Sequence, residues 1–178
     1  METSETTWGL REFMHFIAKE CRKARLDKTR TSHLFARAVC TDLRDKGHAS
    51  VERLRSGNSN YFGAEIDGNL VLVSAFASQE RWWNTPSDGF MDCVKRAKTK
   101  VPACRWGVVL LRVPELSGAW IEGGEFEKLP SWPEKFNESD IRRLKKAKAA
   151  CEFSDWEALM EFIRRGCVPR SRLIRKPA

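Results

Sequence analysis

Two carboxylates, Glu65 and Asp67, stand just before a Gly-Asn pair in the stretch YFGAEIDGNLVLVSAF. A spacing of two puts them on the same side of a strand, where two hard oxygen ligands can share a divalent cation. Glu80, further along, would be the non-standard third group of a Mg²⁺-dependent phosphodiester hydrolysis. The same residues have a plainer use. Hairpin turns commonly recruit Asp, so Asp67 serves the turn and Glu65 a solvated edge.

A second group follows the strand, in SQERWWNTPSDGF. Arg81 offers a phosphate fork, and Trp82 and Trp83 offer flat stacking surfaces of the kind that single strands or flipped bases need. Neighbours in an extended chain point opposite ways, which predicts one tryptophan buried and one exposed. Two further clusters are basic. Lys95 and Arg96 lie on the outer face of a helix that also carries Lys98 and Lys100. Arg142, Lys145 and Lys146 lie on the polar side of another. Either could track a phosphate backbone, and either could be an ordinary solvated face.

Thirty-two Lys and Arg against 24 Asp and Glu give the 178-residue chain a formal charge of +8, which favours a polyanionic partner. Seven Trp and ten Phe supply a core and argue against wholesale disorder. No apolar run reaches bilayer-spanning length, and METSETTWGLREF lacks the basic-then-apolar pattern of a leader, so the expected location is the cytoplasm with no membrane partner. None of the six cysteines lies within four residues of another. Without a CxxC pair, they are expected to be reduced thiols acting as small hydrophobes. The chain has no GxxxxGK, GxGxxG, HExxH or GxSxG, which argues against the common NTPases, dinucleotide enzymes, zinc proteases and serine hydrolases.

The elements that must position these groups are read from periodicity. Leu10, Met14, Ile17 and Cys21 predict a helix over about 8–25, and a second is expected to start at a Ser32 cap. A third, about 49–56, would stop at Gly57. Residues 61–66 and 70–77 read as strands around the Asp67-Gly68-Asn69 turn. The second strand is apolar on both faces and therefore central. Ser87 caps a helix with Phe90, Val94, Ala97 and Val101 inside, and RWGVVLLRV (105–113) is a buried strand, making a parallel crossover. Residues 118–121 are expected as an edge strand, with Gly123-Gly124 as its turn. Two C-terminal helices follow. The first is capped by Asn137 or Ser139. The second has a Ser154–Glu157 capping box and stops at Gly166. The expected fold is thus α/β: a small mixed sheet, hairpin plus parallel crossover strand, flanked by N-terminal and C-terminal helices. Residues 1–166 form one domain and 167–178 a basic tail.

In element order, residues 8–113 resemble the restriction-endonuclease-like fold of the PD-(D/E)XK superfamily. The resemblance implies an acid near the hairpin, matched by Asp67, and a Glu-x-Lys on the next strand. Those positions hold Ser74 and Phe76. It therefore implies a degenerate member that binds rather than cuts. The resulting expectation is a non-catalytic nucleic-acid-binding protein, a nuclease-like module of a phage or mobile element, without a cofactor. Its contacts would be Arg81, Trp82, Trp83, Lys95, Arg96, Arg142, Lys145 and Lys146. One alternative is an active Mg²⁺-dependent nuclease using Glu65 and Asp67 with Glu80. Another is a protein-interaction subunit or inhibitor with exposed Trp anchors.

Overall fold

The computed structural model describes residues 8–47, 50–52, 59–128 and 134–167. The expected tail lies outside them apart from Cys167, as do the loop prolines 130 and 133 and most of the segment 49–56.

Helix α1 (Leu10–Glu20) buries Leu10, Phe13 and Ile17, one stripe at helical spacing. Helix α2 (Lys28–Asp45) starts earlier than the Ser32 cap predicts. Asp27 is the N-cap, and its carboxylate accepts from the Arg30 amide at 2.7 Å. Ser32 is instead buried one turn in, where its hydroxyl accepts from the Ala77 amide at 2.9 Å and ties the helix to the sheet. In place of the start of a third helix, Ser50–Glu52 forms strand β1. A strand partner in register overrides weak local helix propensity.

Strands β2 (Tyr61–Ile66) and β3 (Asn69–Ser78) form the expected hairpin. Gly68 has φ +79° and Asp67 φ +51°, so the turn occupies the region that Gly and Asp tolerate. A short strand β4 (Trp82–Asn84) follows, then α3 (Asp88–Lys100), capped as expected by Ser87. Strand β5 (Arg105–Arg112) runs parallel to β3. Strand β6 (Ser117–Glu122) then turns back antiparallel. Residues Gly123–Phe126 make a single helical turn, α4, where a glycine turn was expected. Strand β7 (Lys135–Asn137) pairs with β4 in a separate two-stranded sheet. Helix α5 (Glu138–Lys146), strand β8 (Ala150–Phe153) and helix α6 (Trp156–Arg165) complete the order.

The main sheet is mixed, in the order β1-β2-β3-β5-β6-β8, with β3 and β5 its parallel pair. Strand β6 is interior, not an edge, because β8 pairs along its far side. The period of two in β3 divides the core. Val71, Val73, Ala75 and Ala77 face the layer of α1, α2 and α6. Leu72 and Phe76 face the layer of α3 and α5, with Trp83, Phe90, Trp106 and Phe136. Asn137 caps α5 through a reciprocal box with Asp140, and Gly166 ends α6 at φ +81°. The cap of α6 is Asp155, not Ser154: its carboxylate accepts from the Ala158 amide at 2.8 Å. No helix among the described residues is long and apolar enough to cross a membrane.

Cys21, Cys40, Cys93 and Cys104 form no disulfide and are wholly or partly buried, as small hydrophobes should be. Cys151 and Cys167 depart from expectation: they are bonded as a disulfide across a Cα separation of 5.6 Å. It joins β8 to the second residue beyond α6. Their spacing of 16 in sequence matches no short motif, so only the fold brings the two thiols together.

Candidate functional site

The carboxyl ends of β3 and β5 lie side by side, with Ser78 opposite Arg112. Open α/β sheets bind ligands at this end of their strands. The chain leaves β3 through Gln79 and Glu80, turns at Arg81 (φ +63°) and re-enters extended structure as β4. Alternation along β4 then puts Trp82 and Trp83 on opposite sides of the strand.

Trp83 is fully buried and its indole N–H donates to the Leu111 carbonyl at 2.9 Å. It is a core residue, and the expectation that it stacks on bases is corrected. Trp82, on the other side of β4, remains half-buried. The Lys28 ammonium lies 2.9 Å from its ring centroid and the Lys135 ammonium 4.8 Å away. Both are within cation–π range. Lys28 comes from the first turn of α2 and Lys135 from β7, so the indole is framed by elements distant in sequence. The fold, not a local motif, creates this group.

Burial lowers the pKa of Lys28, reinforced by the neighbouring charges of Arg25 and Lys135. Glu80 partly offsets that repulsion through ion pairs to Arg25 and to Lys28, the latter at 3.3 Å. Arg81 pairs with Glu115. Beyond it, Arg112 bridges Glu138 at 2.7 Å and Glu152 at 3.0 Å, and Lys145 also reaches Glu152, at 2.8 Å. Arg112 holds the Glu138 carboxyl below its usual pKa, and Lys145 does so for Glu152, in both cases chiefly by hydrogen bonding.

The basic candidates therefore divide. Arg81 and Lys145 already hold carboxylates. Arg142 and Lys146 on α5, and Lys95 on α3, are exposed and make no ion pair among the described residues. Both helices belong to the same layer of the molecule. Arg96 is exposed, and its guanidinium donates to the Cys93 sulfur at 3.3 Å. Lys28 and Lys135 were missed in the sequence. The only signal in the sequence was that Lys28 lies in a basic run, RKARLDKTR.

The three acids do not assemble. Glu65 is opposite Leu70 in the β2–β3 register and therefore faces the α3 side of the sheet with Leu72. Asp67 sits in the turn, where positive φ breaks strand alternation. Its carboxylate accepts from Arg164 of α6 at 2.7 Å, on the opposite face. The expectation that the two share a side is corrected. Glu80 lies at the far end of β3, eight residue steps beyond Leu70 to Ser78 alone, or roughly 25 Å of strand. Among the described residues no group of three or more His, Cys, Asp or Glu could hold a metal ion.

No family model matches the chain, and no curated protein matches it. Among solved structures it has a likeness to one titled a “putative family II inorganic pyrophosphatase” of Methanococcus jannaschii, at 7% identity and a TM-score of 0.24 over 49% of this chain and 33% of that one. The chain thus matches about a third of that protein's length, and a likeness this slight carries no argument about fold or function.

Proposed function

We propose that this protein binds nucleic acid without cutting it, taking a base against Trp82 and the flanking phosphates on Lys28 and Lys135. The observation that carries the reading is the half-buried indole framed by two ammonium groups at the carboxyl end of the parallel strands. An incoming base takes the ring face, and each displaced ammonium turns to a phosphate oxygen. Stacking of this kind is sequence-tolerant, because every base has a π-face. Lys95, Arg142 and Lys146, without an ion pair among the described residues, extend the basic surface, and the net charge of +8 attracts the strand over a longer range.

A distant, degenerate kinship with the PD-(D/E)XK nucleases is part of the proposal. What supports it is the order α2-β1-β2-β3-β4-α3-β5, in which β1, β2 and β3 form an antiparallel meander and β3 and β5 a parallel crossover. What supports the non-catalytic reading is the state of the positions that should carry the chemistry. Ser74 is 1% exposed and Phe76 8%, both beneath the α3 layer. Glu65 and Asp67 face opposite ways, and Glu80 is occupied by Arg25 and Lys28. Fluorescence anisotropy with a labelled single-stranded oligonucleotide tests the reading, with a gel assay for cleavage in added Mg²⁺. The expected result is binding, weakened by Lys28→Ala and Lys135→Ala, with the strand left intact. Mg²⁺-dependent cleavage abolished by both Glu65→Ala and Asp67→Ala would reject it.

A further inference from the structure

At the other end of β3 the sheet and α3 part company. Along the inner face of α3, Phe90 is 0% exposed and Val94 1%, Ala97 is half-buried, and Val101 is 42% exposed. Burial thus falls from the first turns of the helix to its C-cap, Val101. A cleft of about 620 Å³ opens beneath the helix, against the turn end of the β2–β3 hairpin. Leu70, Leu72, Ala97 and Val101 give it an apolar lining, and Gly63 and Gly68, which have no side chains, leave it room. Its volume falls within the range that small ligands occupy.

The charges at the cleft are unbalanced. Arg96 and Lys100, one helical turn apart, line one wall. Lys100 makes no ion pair among the described residues, and Arg96 holds only the weak sulfur acceptor of Cys93. Glu65 lines the opposite wall from β2, exposed and likewise without an ion pair among them. Two cations and one carboxylate leave one positive charge over an apolar floor. Cations in the last turn also complement the dipole of α3, but that needs no apolar floor beside them.

We propose that this cleft binds a small amphiphilic monocarboxylate. The apolar body lies on Leu70, Leu72, Ala97 and Val101, and the head is forked by Arg96 and neutralised by Lys100. One surplus positive charge matches a monoanion better than a phosphate monoester dianion. The site is separate from Trp82 and does not depend on nucleic-acid binding.

The test is a titration of the ¹⁵N-labelled full chain with decanoate, followed by amide chemical shifts, with decanol and decyl phosphate as parallel probes. Expected are saturable shifts centred on Leu70, Leu72, Ala97 and Val101. Decanol, which lacks the head, should bind about tenfold more weakly, as should decanoate to Arg96→Ala, since one charged contact of this kind is worth about a factor of ten. Glu65→Gln should tighten decanoate binding by removing the repelling charge. Ala97→Trp should abolish it by filling the cleft. Lys100→Glu, on an exposed helix surface, gives the same answer without perturbing the fold. Three outcomes overturn the proposal: no saturable shifts, equal binding of decanoate and decanol, or unaltered binding to Lys100→Glu. Tighter binding of decyl phosphate than decanoate overturns the assignment to a carboxylate.

Discussion

Truncating Trp83 to alanine separates a structural tryptophan from a functional one. Its side chain is fully buried between β4 and the sheet, and its indole N–H holds the Leu111 carbonyl at 2.9 Å. A buried tryptophan removes about 150–250 Å² from water, which at ~25 cal/mol per Å² is an upper limit of about 4–6 kcal/mol. Partial collapse of the cavity and loss of the hydrogen bond bring the expected cost to about 3–5 kcal/mol. Against a domain stability of roughly 5–15 kcal/mol that is a large fraction, so Trp83→Phe is the companion variant, with an expected cost of about 1–3 kcal/mol. Trp82→Ala, at a half-buried position, should cost about 1 kcal/mol or less, because its ring faces charged side chains and not packed core. Urea denaturation followed by circular dichroism gives all three values. If Trp82→Ala destabilises as much as Trp83→Ala, or if Trp83→Ala costs under about 1 kcal/mol, the division of roles between the two indoles is wrong.

Other consequences follow from the packing and the charges. Gly107→Ala should destabilise by about 1–3 kcal/mol or more in the same denaturation assay, because its Cβ would enter the space of the Trp120 ring. The Cys151–Cys167 disulfide closes a 16-residue loop, so reducing agent or Cys167→Ser should lower the urea midpoint by the equivalent of about 3 kcal/mol, and reductant should then leave the variant unchanged. Glu138 and Glu152 are held below their usual pKa, so their contribution is present above the unfolded carboxylate value and lost as pH falls through the folded one. Arg112→Gln should therefore flatten the fall in stability below about pH 4.5, read from denaturation midpoints across an acid series.

Several elements were legible in the sequence because a short stretch determines them. The β2–β3 hairpin follows from Asp67-Gly68-Asn69 between two apolar runs, and the central place of β3 from its two apolar faces. The Ser87 cap and the Gly166 stop are local chemistry too. The missed features depend on distant partners. Ser32 looks like a cap, but Asp27 takes that role and Ser32 is recruited by Ala77. Strand β8 is four residues long, with Glu152 exposed, and exists because β6 offers an edge to it. Missing β8 made β6 look like the border of the sheet. The same reasoning applies to the site. The adjacent indoles and the prediction that one would be buried could be read from WWN in extended chain. Their assignment could not, because the partners Leu111, Lys28 and Lys135 lie far away in sequence. Spacing likewise placed Glu65 and Asp67 on one side, but the turn dihedral at Asp67 and its pairing with Arg164 put them on two.

The central claim is that a strand of nucleic acid lies across Trp82 with its phosphates on the surrounding cations. The most direct measurement is the affinity for a single-stranded oligonucleotide across a salt series, for the unmodified protein and for Trp82→Ala. The account predicts a logarithmic fall of affinity with salt, and a loss of about 1–3 kcal/mol in the variant that persists at every salt concentration. No binding at low salt, or equal affinity of the two proteins throughout, contradicts it.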